Sequence, residues 1–298
     1  MMQRRQFATF AALAGSALQS AAQNSGTLTK PAQSASAPMR IGLALGAGSA
    51  RGFAHIGVLK ALDEAGLKAD VIAGTSAGSL VGVFYAAGYT PWQMEEVAIK
   101  VRDVDVADIS TASKRGMFAG DALQKLVNEY VKNVPIERLR IPFAAMATQL
   151  RTGELVALRQ GDAGLAVRAS CAIPGVFVPP MINGQEMVDG GLISPLPVKA
   201  ARLLGADFVI AVDVGSKPTN NTQGGLYEVM LQSFEIMGRS LVQLEAQTAD
   251  YLIRPDTSRF TSTDFAARRD LIQAGYEAGL KAAGEIRLKH GQRLRRKN

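Results

Sequence analysis

Ser76 lies between Gly74-Thr75 and Ala77-Gly78, directly after the apolar run Val71-Ile72-Ala73. A strand that turns sharply into a helix can hold a serine at a strained apex with its hydroxyl exposed. Glycines must flank it, because side chains there would meet the neighbouring strand and helix. Such a serine is a candidate nucleophile for acyl transfer, and it needs a base. The usual partner is a histidine later in the chain. There are only two histidines, His55 and His290. His290 belongs to the basic stretch from Arg287 to Lys297, which reads as a solvated tail and a poor support for an imidazole. His55, one turn into the first expected helix, reads as a packed structural residue. The base is therefore expected not to be histidine.

A carboxylate offers itself instead. Asp189-Gly190-Gly191 follows the apolar pair Met187-Val188, which places Asp189 on a tight turn at a strand end. Alone, this motif would be an ordinary Asp-Gly turn. An aspartate is a weak base in water, with a reference pKa of about 3.9. It still accepts a serine proton in the transition state when both groups are held within hydrogen-bond reach in a dry crevice. A third element completes the set. Gly46-Ala47-Gly48-Ser49 leaves a short strand and opens a helix, so its backbone N–H groups and the helix dipole suit an oxyanion. Arg51 follows, and is expected either to bind a phosphate or to brace the loop. The rival reading is a nucleotide site. It fails on spacing: a dinucleotide fingerprint wants glycine where Arg51 stands, and a P-loop would need Gly-Lys-Ser/Thr.

The elements that must position these groups alternate. Met39 to Leu45 is a strand, and a helix follows with Ile56, Leu59 and Leu62 on one face and Gly66 as its stop. Val71–Ala73 enters the Ser76 turn, and a Gly/Ala-rich helix runs to Gly88. This rhythm implies right-handed crossovers and a parallel sheet, with the loops at the carboxyl ends of adjacent strands sharing one crevice. Thr90-Pro91-Trp92-Gln93 is a helix start with a capping box. Residues 102–117 read as a polar surface loop or a flap, Asp121 to Lys132 as a helix. Phe143–Leu150 and Leu155–Arg159 read as an antiparallel pair, and Phe208 to Val214 as a buried strand. Leu226, Met230, Phe234, Met237, Leu241 and Leu244 fall at helical spacing and are expected to pack in the core rather than on a membrane. Cys171, in an apolar stretch, reads as a small buried hydrophobe.

Taken in order, Leu43-Ala-Leu-Gly-Ala-Gly-Ser-Ala-Arg-Gly-Phe-Ala-His-Ile-Gly-Val-Leu59, Gly74-Thr-Ser-Ala-Gly78, Ser170-Cys-Ala-Ile-Pro-Gly-Val-Phe177 and Asp189-Gly-Gly191 resemble the motifs of the patatin-like phospholipases. The resemblance covers roughly residues 39–215 and, more loosely, the rest. It implies a three-layer α/β sandwich with a mostly parallel central sheet. It also implies a Ser–Asp dyad of Ser76 and Asp189, an oxyanion hole from the backbone of Gly46, Ala47, Gly48 and Ser49, and Arg51 beside the substrate. The implied activity is hydrolysis of acyl esters in phospholipids or other lipids through an acyl-enzyme, without metal or cofactor. Ala47 departs from the family, many of whose members carry glycine there. It keeps its N–H, but a positive φ would be strained. Two alternatives stand beside this reading: a conventional histidine-triad esterase, and a non-catalytic lipid-binding or regulatory protein on the same fold.

The bulk numbers set limits. The chain has 298 residues, 47% of them apolar, which is enough for one full core. A single cysteine excludes an internal disulfide. Arg4-Arg5-Gln6-Phe7, a mild apolar stretch to Leu18 and then Ser20-Ala21-Ala22 have the layout of a twin-arginine-like export signal. Residues 1–22 are expected to be that signal, 23–38 a flexible linker, and 39–298 the catalytic domain with its basic tail. The mature protein is then expected to be exported, in the periplasm, and cytoplasmic if the signal is not used. The net charge of +7 permits peripheral contact with a membrane surface; nucleic acid is not an expected partner.

Overall fold

The computed structural model describes residues 39–215 and 225–294. The expected export signal and linker lie outside them. The strands are β1 (Ile41–Leu45), β2 (Val71–Thr75), β3 (Gly116–Phe118), β4 (Phe143–Gln149), β5 (Leu155–Leu158), β6 (Gly175–Phe177), β7 (Met181–Ile182), β8 (Gln185–Asp189), β9 (Phe208–Val212) and β10 (Tyr251–Ile253). The α-helices are α1 (Phe53–Glu64), α2 (Ala77–Ala87), α3 (Pro91–Lys100), α4 (Asp121–Tyr130), α5 (Ala163–Ser170), α6 (Val198–Leu203), α7 (Leu226–Ala246) and α8 (Arg268–Leu294).

The main sheet has the order β10-β9-β1-β2-β4-β8-β7, with β5 also on β4. The first five strands of that order run parallel, while β8 and β5 lie antiparallel to β4. Both faces are covered, so the parallel strands are near-continuous apolar runs rather than alternating ones. Leu43, Leu45, Ile72, Phe208 and Ile210 pack under α1, α2 and α8. Ala44, Val71, Ala73, Val209 and Ala211 pack under α6 and one line of α7. This is a three-layer α/β sandwich.

One detail of β4 decides where the chemistry falls. Along one edge, β4 pairs with β2 from Phe143 to Met146, ending at Thr75↔Met146. The opposite edge carries β5 over Ala145–Thr148. Pairing with β8 begins at Ala147↔Asp189 and overlaps the β5 span, so β8 must occupy the β2 edge. One strand hands over to the other there. Ser76, just past the end of β2, and Asp189, the last residue of β8, therefore meet end to end.

Three expectations are corrected. The stretch 102–117 is pinned rather than irregular: β3 pairs in parallel with β6, and Asp108 accepts the N–H groups of Gly120 and Ala122 at 2.8 and 3.1 Å. The basic C-terminal stretch is helical to Leu294 as part of α8, and His290 lies against Phe208 with ring centroids 4.9 Å apart. Phe208 begins β9, so His290 sits at the end of the sheet opposite Ser76. Finally, the apolar stripe on α7 does not pack as a core face: Met237 is 56% and Leu244 63% exposed, Met230, Phe234 and Leu241 are half-buried, and the side chain of Leu226 lies outside those described. The inward line instead runs through Leu231, Glu235, Gly238 and Val242, displaced by about one residue around the helix. Because that line includes a glutamate and a glycine, hydrophobic spacing alone points to the wrong face. Among the described residues, no helix is long and apolar enough to cross a membrane.

Candidate active site

Ser76 is held at the apex of a sharp strand-to-helix turn with φ 53° and ψ −124°, a conformation that costs on the order of 1–3 kcal/mol and persists only where the surroundings enforce it. Two glycines permit the crossing. A Cβ on Gly78 would lie 2.1 Å from the Leu45 carbonyl oxygen, and one on Gly74 2.5 Å from that of Gly78. Hydrogen bonds fix the turn: the Ser76 N–H donates to Ser170 Oγ at 3.0 Å, and Ser79 Oγ donates to the Ser76 carbonyl at 2.7 Å. Thr75 Oγ1 donates to the Ser194 carbonyl at 2.8 Å, joining the elbow to the segment after Asp189. That segment is in turn tied to α7, since the Leu196 N–H donates to Glu245 at 2.7 Å and the Ser194 hydroxyl also donates to it.

Ser76 and Asp189 are each 5% exposed, and both line one cavity of about 360 Å³. The Gly191 N–H donates to Asp189 Oδ1 at 2.7 Å, and the Ser76 hydroxyl lies near enough to the carboxylate to act on its pKa. Burial pushes the Asp189 pKa up to about 6; the nearby Ser76 hydroxyl and the Gly191 N–H pull against it. The carboxylate is thus a stronger base than a solvated aspartate, yet largely ionised at neutral pH.

The Gly46–Ser49 loop leaves β1 beside Ser76, but its four amides are not equivalent. The Gly46 N–H donates to the Val212 carbonyl at 3.0 Å and the Ala47 N–H to the Pro195 carbonyl at 2.8 Å. Those two donors are committed to the fold, which corrects the expectation that all four face a substrate. Gly48 and Ser49 form the open end of the loop, at the start of a short 3-10 turn, Ser49–Gly52. The residue with a positive φ is Ser49, at 51°, and Ala47 escapes the strain expected there.

Arg51 is buried beside the cavity, with its guanidinium on Glu235 of α7 at 2.8 Å and its Nε without a partner. It therefore braces the loop against the helix that walls the cavity. His55 is fully buried, and its Nε2 donates to the Gly46 carbonyl at 2.8 Å while Nδ1 has no partner. Burial drives its pKa down to about 4, against the pull of the Gly46 carbonyl and Asp213, so the ring is neutral and holds the loop from behind. Cys171 is buried against Ser79, and burial first, then the nearby Asp189, raises its thiol far above the reactive range.

Sequence reasoning missed three groups on the cavity wall. Asp213 follows β9, Arg254 follows β10, and Arg239 lies one turn past Glu235 on α7. Arg254 pairs with Asp213 at 2.9 Å. Arg239 makes no ion pair within the described residues. The signal for the first two was topological: each stands at the carboxyl end of a parallel strand, where ligands gather in such sheets. Arg239 carried none.

The profile of the patatin-like phospholipases matches residues 43–202, more than half of the chain. The chain belongs to that family. It is 39% identical over 180 residues to an uncharacterised NTE family protein of Mycobacterium tuberculosis, an alignment covering 59% of this chain and 49% of that protein. The lysophospholipase NTE1 of Coccidioides immitis is 30% identical over 272 residues, covering 80% of this chain and 17% of its own length. The chain thus spans about half or less of these curated relatives. Among solved structures, VipD from Legionella pneumophila superposes with a TM-score of 0.58 at 15% identity, covering 83% of this chain and 67% of that one, a likeness of fold.

Proposed function

We propose that this protein is a lipid acyl hydrolase in which Ser76 is the nucleophile and Asp189 its base. The observation that carries the reading is the placement of the Ser76 hydroxyl, at its strained turn, and the buried Asp189 carboxylate on the wall of one cavity. Ser76 Oγ attacks the ester carbonyl, and its proton passes to Asp189. The amides of Gly48 and Ser49 face the developing oxyanion. Collapse of the tetrahedral intermediate expels the alcohol, which takes the proton from Asp189. Water then attacks the acyl-enzyme, Asp189 accepting its proton and returning it to Ser76 Oγ as the fatty acid leaves. The structural role of His55 behind the loop is compatible with a reaction that uses no imidazole.

The cavity also favours a phosphate-bearing lipid over a neutral one. Arg51 and Arg254 are already paired with Glu235 and Asp213, which leaves Arg239 to meet a headgroup phosphate. A panel of mass-tagged lysophospholipids, phospholipids and monoacylglycerols tests both points. Ser76→Ala and Asp189→Asn are each expected to remove nearly all turnover. Arg239→Gln is expected to lower kcat/KM for phosphate-bearing substrates roughly tenfold or more, the worth of one charged hydrogen bond, and to affect the neutral ester far less. A fluorophosphonate probe that labels the wild type but not Ser76→Ala supports the enzyme; absence of labelling with lipid binding retained returns the reading to a non-catalytic lipid-binding protein.

A further inference from the structure

A second cavity, of about 150 Å³, lies between α1, α2 and α3. Its walls are Ile56, Leu80, Val81, Phe84, Met94 and Val97, with Leu126 of α4 behind them. Polar side chains line it chiefly at one end, where Arg268 reaches across from α8: it donates to the Ala98 carbonyl at 2.7 Å, pairs with Asp103 and lies over the Phe53 ring. The other end bears on the reaction. Ser49 lines this cavity and the main one alike, and Ala77, the residue after Ser76, is also part of its wall.

The two cavities differ in charge. The one at Ser76 carries Arg51, Arg239, Arg254, Asp213 and Glu235, groups suited to a hydrated or charged alcohol half, alongside apolar walls such as Leu231, Phe234 and Val242. The smaller one is apolar between its Arg268 end and Ser49. They share Ser49 as a wall, and Ala77, next to Ser76, borders the smaller one, beside the place where the ester carbonyl sits on the reading above. An ester whose acyl half and alcohol half differ in polarity thus finds a matching wall on each side of the scissile bond. We propose that the cavity between α1, α2 and α3 is the acyl-chain subsite, and that it sets a preference for medium-length chains. This rests on Ser76 as the attacking group.

Size gives the length. An apolar cavity of this volume lined by such side chains stays dry and admits a guest of benzene's bulk, about six carbons. Adding the carbonyl carbon and its neighbour, which stay at the Ser76 junction, the cavity is filled by an acyl chain of about eight carbons. Each methylene it buries is worth roughly fourfold in kcat/KM, about 0.8 kcal/mol.

The test is a series of p-nitrophenyl esters from acetate to palmitate, with octanoate binding to Ser76→Ala measured by calorimetry as a readout that needs no turnover. In the wild type, kcat/KM is expected to climb steeply up to about the octanoate ester and then level off. Val97→Phe fills the cavity, and should cut the octanoate-to-acetate ratio of kcat/KM at least tenfold and abolish octanoate binding when combined with Ser76→Ala. Ala98→Val, a milder filling, should shift both in the same direction if Val97→Phe does not fold. An unchanged ratio in a folded cavity-filling variant, or octanoate binding that survives the filling, overturns the subsite. Loss of all turnover with filling-sensitive octanoate binding intact leaves the subsite standing and removes only the proposed hydrolysis.

Discussion

At the scale of single residues, Asp189 carries two opposed demands. Burial raises its pKa to about 6, which makes it a better proton acceptor and a costlier charge to hold. The proposed reaction uses the ionised form, so kcat/KM is expected to rise about tenfold per pH unit up to roughly pH 6 and then flatten, with the small residual rate of Asp189→Asn lacking that inflection. The stability effect has the opposite sign. A carboxyl whose folded pKa is raised is stabilising when protonated, below the unfolded value of about 3.9, and that benefit is lost as pH rises through about 6. Asp189→Asn keeps an oxygen for the Gly191 N–H and removes the charge. It should be more stable than wild type at pH 8 by about 1–3 kcal/mol, the cost of keeping a buried carboxylate ionised there, and the difference should vanish below pH 4. Urea titrations at the two pH values check this.

Among the elements, α7 is the one whose sequence misleads. Its apolar residues at helical spacing suggest a core face, but its inward line carries Glu235 because Arg51 needs a counter-charge. Removing that partner strands a buried guanidinium. Glu235→Leu is therefore expected to cost ~2–3 kcal/mol and to slow turnover, since Arg51 braces the Gly48–Ser49 loop; Arg51→Met with Glu235→Leu should recover most of the stability but not the rate. A double-mutant cycle by chemical denaturation and kinetics separates the two. The helix start at Thr90, whose capping box with Gln93 is present, and the Ser76 elbow were legible because short-range stereochemistry dictates them. So was the Asp-Gly turn at Asp189. The commitment of the Gly46 and Ala47 amides was not legible, since their acceptors, Val212 and Pro195, arrive from distant parts of the chain. The packing of His290 was hidden for a related reason: a basic stretch looks solvated until a distant strand, here the start of β9 at Phe208, gives one of its faces somewhere to pack.

For the molecule as a whole, α8 closes the fold by lying directly on α1. Glycines let the two backbones touch: a Cβ on Gly275 would stand 1.9 Å from the Ala54 carbonyl oxygen, and one on Gly57 equally close to that of Ile272. Gly275→Val must push the helices apart and should cost about 3 kcal/mol, the upper end of overpacking. Gly284, with open space around it, provides the contrast, as Gly284→Ala should raise stability by about 0.5–1 kcal/mol through helix propensity alone. Thermal melts of the pair check both signs. The handover on the β4 edge has a consequence of its own. No hairpin or single crossover unit contains both halves of the Ser76–Asp189 pair, because each is delivered by a different strand to a third. Closing such distant segments is slow compared with forming helices. If Ser76 and Asp189 act as proposed, a nascent or half-folded chain is chemically harmless to the lipids around it, and during refolding the ability to cleave an ester should return only after the circular-dichroism signal of the helices has recovered.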